Sequence, residues 1–375
     1  MPSDAFRTAL VLIARNESRA IARCLNSIRP YVDEMVVLDT GSSDSTASIA
    51  KACGAAVHHF EWVDDFSAAR NAALDLTQAD WRIVLDADEW LESGADALGA
   101  LRRTAPEFLG LISVASTVEH GATRAPSWLP RMLPRGVRYT GRIHEQPDSQ
   151  WPRRRLAVTV GHDGYLAAQM ARKAGRNRTL LERSLADCPG DVYLQYQLGK
   201  DHEVASEFAL ALPFYRRAYE GVSEQASWRH DLVLRLLFAL GKTGNSSEAL
   251  AIARAEQPRW QDSPDFHFTL GDLLLECALR EPQHGPEWLP QIEANWLRAI
   301  EIGERPELPD SVLGRGSFLA AHNLAVLHES LGNHDGAHHW RQEVARMRSA
   351  HAVLQAGELA GRPPSISAIA LAAEP

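Results

Sequence analysis

The chain has 375 residues, too many for one ordinary hydrophobic core, so its length predicts two domains. A formal net charge of −9 excludes the broad basic surface that nucleic acid or an anionic membrane requires. The four cysteines, Cys24, Cys53, Cys188 and Cys277, have neither CxxC spacing nor a disulfide framework, and the short apolar run in MPSDAFRTALVLIARNES is unlike a signal peptide. Reduced core thiols in a cytoplasmic protein without a transmembrane segment are the expectation.

The first apolar run, 8–14, reads as a strand that ends at Arg15-Asn16-Glu17, with Ser18 placed to cap a helix through about residue 28. A second run, 35–38, stops at the turn residues Asp39-Thr40-Gly41-Ser42-Ser43-Asp44, and a helix follows to about residue 53. A third strand at 55–60 precedes a helix at 66–76. A fourth at 81–85 runs into Asp86-Ala87-Asp88-Glu89. Short, continuously apolar strands alternating with helices predict a mostly parallel sheet covered on both faces. Ligands in such sheets bind beyond the carboxyl ends of the strands, where each of these polar clusters falls.

From 105 to 162 the pattern is irregular and rich in Pro and Gly, as expected of antiparallel strands joined by turns. Beyond Gly164 long helical segments take over. Leu198-Gly199 is followed by Ala211, Tyr215 and Ala218, and Leu324-Ala325 by Ala337 at the same spacing. Leu236-Leu237 with Ala249, and Leu270-Gly271 with Ala299, suggest two further units, the second carrying an insertion at 281–290. This resembles the tetratricopeptide pattern, in which small residues let paired helices pack closely. Unrelated helical hairpins are the alternative. The tail after Gly361, with Pro363 and Pro364, is expected to be disordered.

Asp86 and Asp88 are two hard carboxylates at a strand end. They would share a face if the strand continued, or converge through a turn, and suit Mg²⁺ or Mn²⁺ held jointly with a substrate diphosphate. An isolated Asp-x-Asp is as compatible with a solvated turn. The ordered blocks VLIARNES, VVLDTGSSDST, EWVDDFSAARNAAL and WRIVLDADEW are more specific: together they resemble the family 2 glycosyltransferases of the GT-A fold. The similarity extends to a subgroup that joins lipopolysaccharide-core sugar transferases with bacteriocin S-glycosyltransferases, some with tetratricopeptide-like helices. Two later stretches, LPRMLPRGVRYTGRIHEQP and VGHDGYLAAQMARKAGRN, resemble the same subgroup.

The resemblance implies a GT-A catalytic domain over 1–165, a Rossmann-like mixed sheet of the nucleotide-diphospho-sugar transferase class. An all-α tetratricopeptide-like domain over 166–360 and a tail at 361–375 would follow. It implies that Glu17 and Asp39 contact the nucleotide base and ribose, that Arg70 and Asn71 line the donor pocket, that Asp86 contacts the donor and that Asp88 binds the metal. Asp39 is also compatible with a turn-stabilising role, Arg70 with a solvated helix face, and Glu17 and Asp44 with favouring the N-terminal ends of their helices through charge and capping. His162 is placed where such enzymes supply a histidine to the metal or diphosphate, or is a hydrogen-bonded loop residue. Inverting transfer needs a base for the acceptor proton; Glu145 is the candidate, the alternative being an ion pair with Arg142. Lys173 and Arg176 begin the helical segment, where they either close over the diphosphate or are solvated. Arg131 is assigned to an acceptor or diphosphate contact, although Leu133-Pro134-Arg135 departs from the relatives' pattern, and Arg153, Arg154 and Arg155 read as a solvated edge.

The expected activity is therefore inverting transfer from a nucleotide sugar, a UDP-hexose by preference, to a peptide, protein or glycan acceptor, with Mn²⁺ or Mg²⁺ as cofactor. The repeats offer a surface for a peptide or for homodimerisation. A non-catalytic scaffold with a relic nucleotide-binding domain is the alternative; it is disfavoured because the candidate ligands and base remain. A nucleotidyltransferase would need a glycine-rich loop after the first strand, and Arg15-Asn16-Glu17-Ser18 has no glycine.

Overall fold

The computed structural model describes residues 5–116, 127–162, 167–308 and 311–359. The chain divides into two compact units, Met1–Gln197 and Leu198–Pro375. The tail 361–375 lies outside the described residues.

The first unit opens with β1 (Thr8–Ala14), α1 (Ile21–Ile28), β2 (Glu34–Asp39), α2 (Thr46–Ala52), β3 (Ala56–His59), α3 (Phe66–Asp75) and β4 (Trp81–Val84). The four strands are parallel, in the order β3-β2-β1-β4, with Ala14 opposite Asp39 in the register. Alternate residues of β1 explain the layering: Leu10 and Leu12 pack with Ile21, Leu25 and Ile28 of α1, while Ala9 and Val11 pack with Ala73 and Leu74 of α3. Both faces are covered, which is why β1 is apolar without interruption. The helix after β1 begins at Ile21, later than its expected cap. Ala20 stands at the N-cap position without a side-chain bond, and the Ser18 N–H donates to Asp44 at 3.2 Å.

The remaining elements are β5 (Glu89–Ser93), α4 (Ala95–Leu101), β6 (Leu109–Ser116), β7 (Ser127–Pro134), β8 (Arg138–Thr140), β9 (Gln146–Asp148) and β10 (Arg153–His162). They extend the sheet to eight strands, β3-β2-β1-β4-β7-β6-β10-β5, while β8 and β9 form a separate antiparallel ribbon. β7 is antiparallel to β4 and β6, and β10 is antiparallel to β5 but parallel to β6. This mixed sheet is the GT-A-like half expected from the sequence. Arg154 and Arg155 lie over the rings of Phe108 and Trp128 at 4.7 and 4.8 Å, so they are engaged with aromatic faces and are not merely a solvated edge.

Helices α5 (Ala167–Asp187) and α6 (Val192–Val204) follow, with α6 crossing the division between the units. The second unit continues with α7 (Phe208–Gly221), α8 (Arg229–Thr243), α9 (Ser246–Glu256), α10 (Pro264–Arg280), α11 (Gly285–Ile302), α12 (Phe318–Ser330) and α13 (His334–Leu359). The small-residue pattern is used as packing. A Cβ on Gly199 would meet the Tyr215 ring at 2.6 Å, and one on Gly271 would meet Trp296 at 2.5 Å. Ala211, Ala249, Ala299 and Ala337 are fully buried. Among the described residues no helix is long and apolar enough to cross a membrane.

Candidate active site

The loops after β1 and β2 are stitched together. Asn16 takes a left-handed backbone, φ 56°, which asparagine tolerates better than most residues. Its amide oxygen accepts from the Ser43 N–H at 2.8 Å, its N–H donates to the Ser42 hydroxyl at 3.0 Å, and the Glu17 N–H donates to the Thr46 hydroxyl at 2.8 Å. Glu17, in the loop after β1, is thereby tied to the loop that follows Asp39 at the end of β2. Asp39 is buried, and its Oδ1 accepts from the N–H groups of Gly41 and Ser42 at 2.9 and 2.7 Å, so it does stabilise the turn. The Asp44 carboxyl is held down to about 2: burial works against its charge, and bonds from Thr46 and Ser18 outweigh burial.

β4 ends at Val84, so Asp86 and Asp88 lie in a turn, and they point to different partners. Asp86 Oδ1 accepts from Arg70 Nη2 and Oδ2 from Arg131 Nη2, both at 2.7 Å. Arg70 Nε donates to Glu145 Oε1 at 2.5 Å, and Arg131 Nη2 also donates to Glu89 Oε1 at 2.6 Å. Glu89 is 2 % exposed; its other oxygen accepts from the Asp86 N–H at 2.9 Å. Burial pushes the Glu89 carboxyl up, with Arg131 pulling against it. Burial would do the same to Asp86, but Arg131 and Arg70 hold that carboxyl well below the usual range.

Asp88, buried, faces His162: Oδ2 and Nε2 are 3.6 Å apart, as the pairing of Glu89 with His162 between β5 and β10 dictates. Burial disfavours the imidazolium, and the Asp88 carboxylate overrides this and raises the His162 pKa. Among the described residues no three His, Cys, Asp or Glu side chains converge as a ready-made metal cage. Two features nonetheless suit an anionic donor with a divalent cation. Asp86, Asp88, Glu89 and Glu145 set four carboxylates against the two guanidiniums of Arg70 and Arg131 and the imidazole of His162, an excess of negative charge that a divalent ion would neutralise. Arg70 Nη1 and Arg131 Nε are buried donors without a partner, as expected where phosphate oxygens complete the bonding.

The structure thus joins Arg70, Asp86 and Glu145, and separately Asp88 and His162. Asn71 is turned elsewhere: its amide exchanges two bonds with the Tyr139 backbone, at 2.8 and 2.9 Å, and anchors β8 to α3. Glu145 pairs with Arg70 and not with Arg142, which instead meets Asp187 at 3.1 Å. Arg176 lies 5.2 Å over the Phe66 ring, itself edge-on to Trp62. The Lys173 side chain lies outside the described residues. Glu89 was not singled out in the sequence, although it directly follows the Asp-x-Asp.

Residues 9–135 match the profile of Glycosyl transferase family 2. A TPR repeat-containing protein of Synechococcus elongatus is 32% identical over 260 residues, which is 65% of this chain and 64% of that protein. The SPbeta prophage-derived glycosyltransferase SunS of Bacillus subtilis is 26% identical over 282 residues, 71% of this chain and 66% of the relative. The matched region thus spans just under two thirds of the length of both. Among solved structures, glucosyl-3-phosphoglycerate synthase from Mycobacterium tuberculosis, in complex with Mn²⁺, UDP and glucosyl-3-phosphoglycerate, is 27% identical. The match covers 30% of this chain and 44% of that one with a TM-score of 0.25, too low for an argument to rest on it. Over residues 9–135, which include the aspartate turn, the chain matches glycosyl transferase family 2, and over a longer stretch it is similar to a TPR repeat-containing protein.

Proposed function

We propose that the chain transfers a hexose from a UDP-sugar to an acceptor hydroxyl or thiol, with inversion, in a catalytic domain formed by about the first 165 residues. The observation that carries this reading is the chain Asp86–Arg70–Glu145, which links the aspartate turn to a mostly buried carboxylate across 2.5 and 2.7 Å contacts. Asp88 and His162 are an oxygen and nitrogen donor pair fitting Mn²⁺, or Mg²⁺ less usually, with the remaining positions left to diphosphate and water. Such an ion supplies Lewis-acid neutralisation of the leaving diphosphate.

The protein's own groups do the rest. Glu17 and the second oxygen of Asp39 contact the nucleoside. Arg70 and Arg131 aim their unpartnered N–H groups at the diphosphate and pin Asp86 against the donor, while Asn71 holds the pocket wall. Glu145 keeps Oε1 on Arg70 and takes the acceptor proton at Oε2. The helical repeats hold a peptide, protein or glycan acceptor, or a second copy of the chain.

The test is release of UDP from UDP-glucose and other UDP-hexoses by the full chain with Mn²⁺. Asp88→Asn is expected to reduce turnover by about 100-fold or more, the scale of a lost transition-state charge interaction. Turnover that persists at the parent rate in Asp88→Asn, or in excess chelator, would overturn the assignment.

A further inference from the structure

Around the start of β4 and the end of β7, away from the Asp86 turn, lies a concavity of about 220 Å³, lined in part by Arg82, Arg135 and Arg138. Arg82 is near the start of β4, four residues before Asp86. Arg135 follows the last residue of β7, in a turn closed by the Val137 N–H on the Pro134 carbonyl at 3.3 Å, with Gly136 at φ 93°. That left-handed position suits glycine, and the turn carries the chain directly to Arg138.

Arg82 is the unusual member. It is 5 % exposed, its Nη2 makes only a long 3.4 Å contact with the Thr77 carbonyl, and its Nε has no partner. A buried charged donor without an acceptor is rare in folded proteins and points to a missing ligand. Burial lowers the pKa of Arg82, and the Arg135 charge adds to that.

Neighbouring acceptors do not balance these cations. Arg138 pairs with Asp75, and Arg135 bonds to the neutral Gln78. Asp80 also acts on Arg82, so three guanidiniums face two carboxylates and the carboxyl end of α3, worth about half a negative charge, which leaves roughly +0.5. A planar guanidinium with parallel N–H groups is matched by phosphate oxygens.

We propose that this concavity is a second anion site that binds a phosphate dianion, free or as the phosphomonoester of a small metabolite. The three arginines come from β4, the turn after β7, and β8. Asp75 of α3 closes the rim, so an occupant would tie together these ends of α3, β4 and β7. The same elements carry Arg70 in the middle of α3, Arg131 within β7 and Asp86 just past the end of β4. The proposal does not rest on the donor reading, because none of its residues belongs to the catalytic cluster.

The experiment compares thermal unfolding of the full chain in inorganic phosphate, in glycerol 3-phosphate and in chloride at matched ionic strength. A ligand bound to the native state alone raises the midpoint with its concentration, by several degrees at roughly 100 times the dissociation constant. A rise with either phosphate probe is expected, the stronger probe identifying free phosphate or monoester as the preferred form. Arg135→Gln/Arg138→Gln, both exposed, should lose the rise. Arg82→Met should be at least as stable as the parent in chloride, since it removes an unpaired buried cation, and should lose the rise too. An equal midpoint in phosphate and chloride overturns the proposal. So does a rise that survives in the double variant, which would assign the phosphate to the catalytic cluster instead.

Discussion

Replacing Arg131 by glutamine measures how far one buried guanidinium holds the catalytic turn together. The side chain donates to Asp86 at 2.7 Å and to Glu89 at 2.6 Å, and both contacts would go. The two losses differ. Asp86 keeps Arg70 and its side chain is 37% exposed, so water screens it and its share is under about 1 kcal/mol. The Glu89 side chain is 2% exposed and would be left as an uncompensated buried carboxylate, the situation that costs about 3–5 kcal/mol when one partner of a buried pair is removed. With a urea slope of about 2–3 kcal/mol/M for a unit of this size, the unfolding midpoint at pH 8 should fall by roughly 1–2 M. Tryptophan fluorescence reports it, since Trp81 is fully buried and Trp90 lies in β5 next to Glu89. Arg131→Gln/Glu89→Gln should recover most of the loss, a coupling of about 2 kcal/mol or more. If the single variant stays within about 0.5 kcal/mol of the parent, or the cycle is additive, the ion pair is not what holds the turn.

In the helical unit, Asp272 accepts from Trp296 Nε1 at 3.1 Å and Asn323 Nδ2 at 2.9 Å. Burial nevertheless pushes its pKa up to about 6 from an ordinary 3.8. The native state thus keeps a proton that the unfolded chain releases, so this contribution is complete below the unfolded value and is lost as pH rises through the folded one. From pH 4 to pH 7.5 the urea midpoint of Asp272→Asn should change more favourably than that of the parent, by an amount worth at most roughly 3 kcal/mol; an equal change in both would remove Asp272 as the cause. Gly271→Ala should cost about 1–3 kcal/mol by thermal denaturation, because its Cβ would press on Trp296, which is itself 1% exposed. Gly175→Ala, in a helix with nothing within 4 Å, is the control and should be neutral or slightly stabilising.

The parallel block was legible because β1 through β4 are short apolar runs that end at polar turns, and continuous burial on both faces demands that pattern. The helical unit was legible through Gly199, Gly271 and the buried alanines, since close helix packing restricts side-chain size to the point of leaving a periodic trace. The order of the far strands was not. β10 running parallel to β6 while antiparallel to β5 is set by long-range pairing, and no local periodicity carries that information. Ser18 failed as a cap for a related reason. Its hydroxyl and its N–H both bond to Asp44, 26 residues away.

The same limit governs the site. Sequence position put each candidate at a strand end or in a loop, but Arg70 finds Glu145 across 75 residues and Arg131 finds Glu89 across 42, separations at which only the fold decides. Glu89 was hidden more subtly. Had β4 continued, alternation would have set Asp86 and Asp88 on one face and Glu89 on the other, out of reach. The strand instead ends at Val84, and a turn in which the Glu89 N–H donates to the Asp86 carbonyl at 3.0 Å brings Glu89 back beneath Asp86. The turn that separates the two aspartates also recruits the third acid, so Asp86 is committed to arginines and Asp88 to histidine. It is this division, more than the aspartate spacing itself, that sets the two aspartates in different company, Asp86 between Arg70 and Arg131 and Asp88 against His162.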